Sequence, residues 1–172
     1  MVLTLFFAGL DTVSAQMAFI VHFLSTHPAH LQELQSSPAL IADAVEELLR
    51  RFGIANLCRI VVSDTVFHGV TMKTDDLVMV SSAMAGVDES SYPGALAVDF
   101  ERPNIRRHAA FGKGVHRCAG ERLARIELRV LLEEIVPRLR KLRLEPGAEV
   151  EFLPGTIMSL RRLPVLWEDA GS

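Results

Sequence analysis

Cysteine is scarce in this chain of 172 residues: there are two, Cys58 and Cys118, at widely separated positions. No CxxC pair or dense cysteine pattern occurs, which argues against a disulfide framework and fits a reducing, cytoplasmic location. Aromatic residues are also few, with one Trp, one Tyr and nine Phe. They do not interleave with basic residues and no nucleic-acid motif is present, so no nucleic-acid partner is expected. Long apolar runs are missing as well. Val2–Leu10 is interrupted by Thr4 and ended by Asp11, too short to cross a bilayer, so no membrane partner is expected. No basic stretch precedes it as a signal peptide would require. Internal repeats and low-complexity tracts are absent.

What is present is apolar and asymmetric. Hydrophobic residues make up 49% of the chain, which excludes general disorder and allows one domain with a real core. The net charge of -3 hides a division: Glu101–Arg143 holds twelve Lys and Arg against five Asp and Glu, and the rest holds six against sixteen. Such a division points to one electropositive face.

The patterning predicts a mainly α fold with small β-sheets (α+β). Val2 to about Leu24 reads as a long helix buried on nearly every side. His27-Pro28 and Ser37-Pro38 each open a further helix, with Pro at the first position. In the later one, Ile41, Ala44, Val45, Leu48, Leu49 and Phe52 keep the spacing of a core face. After Gly53 the texture becomes short and β-branched. Arg59–Val62, Thr65–Phe67, Val70–Met72 and Leu77–Val80 read as strands of one small sheet, punctuated by Ser63-Asp64, His68-Gly69 and Lys73–Asp76. Ser81–Ala85 reads as a short helix. Gly86–Val115 is long and irregular, with two Pro and four Gly, and a loop of that length inside a compact domain is usually functional. Ala119–Val136 is the last strong helix, with Leu123, Ile126, Leu128, Val130, Leu131 and Ile135 apolar and Pro137 ending it. Hairpin-like pieces turn at Pro146-Gly147 and Pro154-Gly155.

The chemistry concentrates in Phe111-Gly112-Lys113-Gly114-Val115-His116-Arg117-Cys118-Ala119-Gly120. A lone Cys stands at the mouth of a helix after a Gly-bearing loop. There the helix dipole and free backbone N–H groups favour a thiolate. Gly114 permits a turn that aims N–H groups at sulfur, and Gly120 lets a flat group lie close to the helix. A buried structural Cys and a zinc ligand are the alternatives. Zinc needs about four ligands, and only His116 and Cys118 are neighbours in sequence.

Phe111-x-x-Gly114-x-His116-x-Cys118-x-Gly120 resembles the haem-binding loop of the cytochrome P450 family, with every anchor present. Glu47-Leu48-Leu49-Arg50 resembles the family's Glu-x-x-Arg, and Arg102 stands where a third, structural member of that set is expected. Ordinary i, i+4 pairing of Glu46 with Arg50 and Glu47 with Arg51 is the alternative. Ala8-Gly9-Leu10-Asp11-Thr12 resembles the oxygen-binding groove of the distal helix. A helix-interior Gly costs about 1 kcal/mol relative to Ala, so Gly9 asks for a reason such as the close approach of a ligand. Thr12 can return its hydroxyl to the Ala8 carbonyl; a kink beside a solvated Asp is the plainer reading. Glu46–Phe52, Ser63–Val70, Val98–Arg102 and Leu163–Trp167 resemble the soluble bacterial branch, in particular its camphor-hydroxylating type.

The resemblance covers essentially the whole chain and carries several expectations. Residues 1–172 correspond to the portion from the distal helix to the C-terminus, the N-terminal half being absent. The cofactor is haem b, with Cys118 on iron, where a thiolate favours O–O cleavage. Ala8, Gly9, Phe111, Gly114 and Gly120 border the haem. Arg59 and His116 pair with propionates, for which Arg is suited, although Leu57-Cys58 departs from the polar pair expected before Arg59. Cys58 itself reads as a small buried residue. Asp11 and Thr12 manage protons. Ile54, Ala55, Thr156 and Ile157 face a substrate pocket. The implied activity inserts one oxygen atom of dioxygen into a small apolar substrate, with electrons from NAD(P)H through a ferredoxin. That donor would dock on a basic proximal face of Arg106, Arg107, Lys113, Arg117 and Arg125. Two rival expectations are a haem-binding fragment without catalysis and a non-haem module that uses the basic face. In a chain lacking the N-terminal half, Val2–Phe7 would leave apolar surface uncovered.

Overall fold

The structure, a computed structural model, describes residues 2–169, with side chains from 8 to 168. Helix α1 (Val2–Thr26) leads to α2 (Pro28–Ser36), a 3₁₀ turn over Pro38–Leu40, and α3 (Ile41–Arg51). Pro28 and Pro38 each open their element, where a missing N–H costs nothing. Asp43 in the first turn of α3 and Arg50 and Arg51 in its last oppose the helix dipole. The apolar face read from spacing is buried at Ile41, Ala44, Val45, Leu48 and Leu49. Glu46, Glu47 and Arg50 are buried beside it.

Next come β1 (Asn56–Ile60), β2 (Thr65–Phe67), β3 (Val70–Met72) and β4 (Leu77–Ser81). β1 begins and ends earlier than the expected Arg59–Val62. The expected single sheet is two ribbons: β1 pairs with β4, and the β2–β3 hairpin is a separate ribbon within the connection. His68 (φ 47°) and Gly69 (φ 80°) form the tight hairpin turn in left-handed backbone. A two-stranded ribbon leaves much of its surface open, and Ile60, Val66, Phe67, Leu77 and Met79 are exposed. The expectation of a buried Cys58 fails for the same reason: it lies on β1 opposite Met79 and is exposed.

Helix α4 (Ser82–Gly86) is capped by Ser81, whose Oγ accepts from the Met84 N–H at 3.4 Å. The long irregular segment follows, with 3₁₀ turns at Ile105–Arg107 and Gly114–His116, and then α5 (Glu121–Ile135). On α5 the core face is Leu128 and Leu132, while Leu123, Ile126 and Val130 are exposed. The last strands are β5 (Leu139–Leu144), β6 (Glu151–Leu153), β7 (Ser159–Arg162) and β8 (Val165–Asp169). Pro154-Gly155 lies in the β6–β7 hairpin connection. Pro146-Gly147 does not close a hairpin, because β5 pairs with β8 around that inner hairpin.

The core joins Ile20, Phe23 and Leu24 of α1, Leu31 and Leu34 of α2, the α3 face, Phe100, Leu128, Leu132, Val136 and Leu142. Helix α1 is less buried than its composition implies. Residues 8–14 are exposed or half-exposed, and a buried face begins at Ala15. The contacts of α1 with α2, α5, β5 and β7 leave that first described stretch largely uncovered. The expectation for the Val2–Phe7 side chains lies outside the described residues. Among the described residues, no helix is long and apolar enough to cross a membrane.

Candidate functional site

Glu47, Arg50 and Arg102 form a cluster of buried charges, being 0%, 1% and 9% exposed. Arg50 sits one helical turn after Glu47 and forks onto its carboxylate, with Nε to Oε2 and Nη2 to Oε1 both at 2.7 Å. Arg102 Nε donates to Glu47 Oε1 at 3.1 Å, and the Asp99 N–H donates to the same oxygen at 3.0 Å. The remaining guanidinium protons go to loop carbonyls. Arg50 serves Gly86, Ala95 and Ala97, and Arg102 serves Pro93, Gly94 and Ala97. The cluster therefore pins residues 86–102 to α3. Gly86 is required there, since a Cβ would run into the Arg50 carbonyl oxygen. The i, i+4 alternative does not occur: Arg51 Nε donates to the Leu96 carbonyl, and Glu46 turns elsewhere.

The loop 111–118 is closed at its base, where the Cys118 N–H donates to the Phe111 carbonyl at 2.9 Å. Gly112 (φ 71°) and Gly114 (φ 74°) supply the left-handed backbone that the reversal requires. Residues 113–120 are exposed, and Cys118 is an exposed free thiol directly before α5. This excludes the structural, buried alternative for Cys118. The Cys118 Sγ lies 3.9 Å from where a Cβ on Gly120 would stand, and among the described residues no other atom outside the adjoining residues comes within 4 Å of that position. Among the described residues no three His, Cys, Asp or Glu side chains gather as metal ligands, so the zinc alternative has no ligand set. One soft donor with open space around it fits an axial ligand to a flat metallocycle better than a bare-ion cage.

Glu46, adjacent to Glu47, forms a second buried node that sequence reasoning did not single out. Its Oε2 accepts from His108 Nε2 at 2.9 Å, and its Oε1 from Arg125 Nε at 2.6 Å. The Ala110 N–H donates to His108 Nδ1 at 3.2 Å, which assigns the ring proton to Nε2. Arg125 also reaches Glu121 at 3.0 Å and lies 4.6 Å over the Phe111 ring. Burial alone would raise the Glu46 pKa. Hydrogen bonds from His108 and Arg125, with the Arg125 charge, outweigh it and hold the group at about 2, against an ordinary 4.5. A folded pKa below the unfolded one contributes stability above the unfolded value, and that stability is lost as pH falls through the folded value. Glu46→Gln should therefore be less stable than the parent near neutrality. The gap should narrow by roughly 3 kcal/mol between pH 6 and pH 2, as urea unfolding at the two pH values would measure. A gap independent of pH would contradict the assignment.

On α1, Thr12 Oγ1 donates to the Ala8 carbonyl at 2.6 Å. Among the described residues, outside its own helix backbone, a Cβ at Gly9 would meet nothing within 4 Å, which leaves space there for a close neighbour. Asp11 borders an open cleft of about 370 Å³ with Ser14, Ala15 and Ala18, and Ile157, Ser159 and Leu160 line it from the β7 side. Backbone pairing brings the four expected pocket residues together: Ala55 bridges Ile157, the Met158 N–H donates to the Ile54 carbonyl, and the Asn56 N–H donates to the Thr156 carbonyl.

Arg59 is exposed on β1 and its Nη1 donates to the Cys58 carbonyl at 2.8 Å; His116 is exposed in the loop. The basic stretch is less of a bare positive face than its composition implies. Arg106 pairs with Asp43 and Glu46, Arg117 with Glu121, and Arg125 with Glu46 and Glu121. Arg107 and Lys113 are exposed, and Lys113 Nζ donates to the Arg107 carbonyl.

The family model described as Cytochrome P450 matches residues 39–164. Pentalenic acid synthase from Streptomyces avermitilis is 37% identical over 166 residues, covering 95% of this chain and 41% of that protein. Mycinamicin IV hydroxylase/epoxidase from Micromonospora griseorubida is also 37% identical over 166 residues, covering 93% of this chain and 41% of that protein. The crystal structure of cytochrome P450 CYP101C1 superposes with a TM-score of 0.91 at 34% identity, covering 98% of this chain and 43% of that one. The chain thus spans about two fifths of the length of these relatives.

Proposed function

The chain belongs to the cytochrome P450 family, and from that premise we propose that residues 1–172 form a portion of a haem-dependent monooxygenase domain whose iron ligand is Cys118. The observation that carries the reading is the exposed thiol before α5, in a loop closed by its own N–H. Haem b, when bound, supplies the activation of dioxygen that no side chain can perform. Phe111, Gly114 and Gly120 would border it on the thiolate side and Ala8 and Gly9 on the other, with Arg59 and His116 as partners for its propionates. Glu47, Arg50 and Arg102 fix the scaffold. The substrate class proposed is a small apolar molecule, held by Ile54, Ala55, Thr156 and Ile157. The electron donor proposed is a ferredoxin served by NAD(P)H, docking near the exposed Arg107 and Lys113.

Asp11 and Thr12 would handle protons. The Thr12 hydroxyl proton is committed to the Ala8 carbonyl, so its oxygen is left to accept from a water, and Asp11 opens onto the same side as the cleft lining from β7. Asp11→Asn should lower product formation by about a hundredfold and leave haem affinity unchanged. Equal rates in a ferredoxin-coupled assay would remove Asp11 from this role.

A second reading is a haem-binding chain without turnover, favoured by the openness of the α1 cleft. Equimolar haem uptake with substrate turnover supports the monooxygenase reading, and uptake without turnover supports the second. Failure to take up haem contradicts both.

A further inference from the structure

Two adjacent glutamates of α3, Glu46 and Glu47, are 2% and 0% exposed and hold different parts of the chain. Glu47 holds residues 86–102, as described. We infer that Glu46, His108 and Arg125 form a second lock, which positions the Cys118 loop from α3. Its consequence for a cofactor rests on the reading of Cys118 as an iron ligand, but the lock itself is made by this chain's own residues.

The loop cannot hold its shape by packing. Residues 113–120 are exposed, and two glycines occupy left-handed backbone. It is held at its two roots, and both lead to one carboxylate. At the entering root, the buried His108 donates to Glu46 Oε2 and receives the Ala110 N–H. One residue later, the Phe111 carbonyl accepts the Cys118 N–H. At the leaving root, Arg125 reaches back from α5 to Glu46, with Nε to Oε1 at 2.6 Å and Nη2 to Oε2 at 3.3 Å. Its guanidinium covers the Phe111 ring and also takes Glu121, which in turn receives Arg117. Residues 108–111 and the first turns of α5 are therefore registered against each other through α3. His108 is a positioning residue, acting on Cys118 through Ala110 and Phe111.

A residue that merely adds stability would change exchange everywhere, whereas a positioning residue changes it locally. Amide hydrogen exchange on the haem-free full chain separates the two. His108→Ala should speed exchange at the Ala110 and Cys118 amides by about tenfold, the loss of roughly one hydrogen bond's worth of protection. Amides of α3 and of the β5–β8 ribbon should keep their rates. His108→Gln, which restores a donor toward Glu46, should return Cys118 toward the parent rate. If His108→Ala does not fold, Arg125→Lys, which keeps the charge and loses the fork, is compared in the same way. Unchanged exchange at Cys118 in a folded variant, or equal acceleration at every amide, overturns the lock. Haem uptake by the parent chain is scored separately: its absence would remove the thiolate reading and leave the exchange result standing.

Discussion

Arg50→Ala is expected to destabilise the chain by about 3–5 kcal/mol, the cost of breaking a buried ion pair by removing one partner. Arg50 is almost fully buried and serves Glu47 and the carbonyls of Gly86, Ala95 and Ala97. Its removal leaves Glu47 with Arg102 and the Asp99 N–H as remaining donors. It also strands loop carbonyls without protons, and buried acceptors left unmade cost about 1–3 kcal/mol each. Domains of this size are typically stable by roughly 5–15 kcal/mol, so the variant should unfold at much lower urea than the parent. Arg51→Ala, which loses one bond to the Leu96 carbonyl, provides the comparison and should cost about 1 kcal/mol. Equal midpoints for the two variants would show that the Glu47 cluster does not hold the loop.

Cys118→Ala should abolish thiolate ligation and lower haem affinity at least about tenfold, since the metal bond is lost while contacts to the porphyrin edge remain. The fold should persist, because Cys118 is exposed and contributes its backbone N–H, which Ala retains. Cys58→Ala is the control. Cys58 is equally exposed but sits on β1 opposite Met79, so haem titration should match the parent. Parent-like affinity and spectrum in the Cys118 variant, or loss of both in the Cys58 variant, would contradict the assignment.

Legibility from sequence divided along physical lines. The α3 core face was readable because spacing reports one-sided burial, and the turn at His68-Gly69 because left-handed backbone demands such residues. Residue chemistry marked the Cys118 loop, and the family resemblance marked Glu47, Arg50 and Arg102. Periodicity could not report that Glu46 is buried. Its partners, His108 and Arg125, lie 62 and 79 residues away, and a carboxylate in a helix ordinarily reads as solvent-facing. The one available signal was the Glu46-Glu47 pair beside a continuous apolar face. Cys58 was misread because a β-branched run implies burial only when a second layer covers it, and among the described strands β1 pairs along its length with β4 alone. The same holds for residues 8–14 of α1, where apolar composition specifies a need for cover and not its source. Local charge counts overstated the positive face, since Arg106 and Arg125 find carboxylates on α3.

The most direct test of the central claim is the carbon monoxide difference spectrum of the reduced, haem-loaded parent chain. A Soret band at the position characteristic of thiolate-ligated haem is expected, with one haem per chain. A band typical of histidine-ligated or free haem, at full occupancy and with the fold intact, would contradict coordination by Cys118.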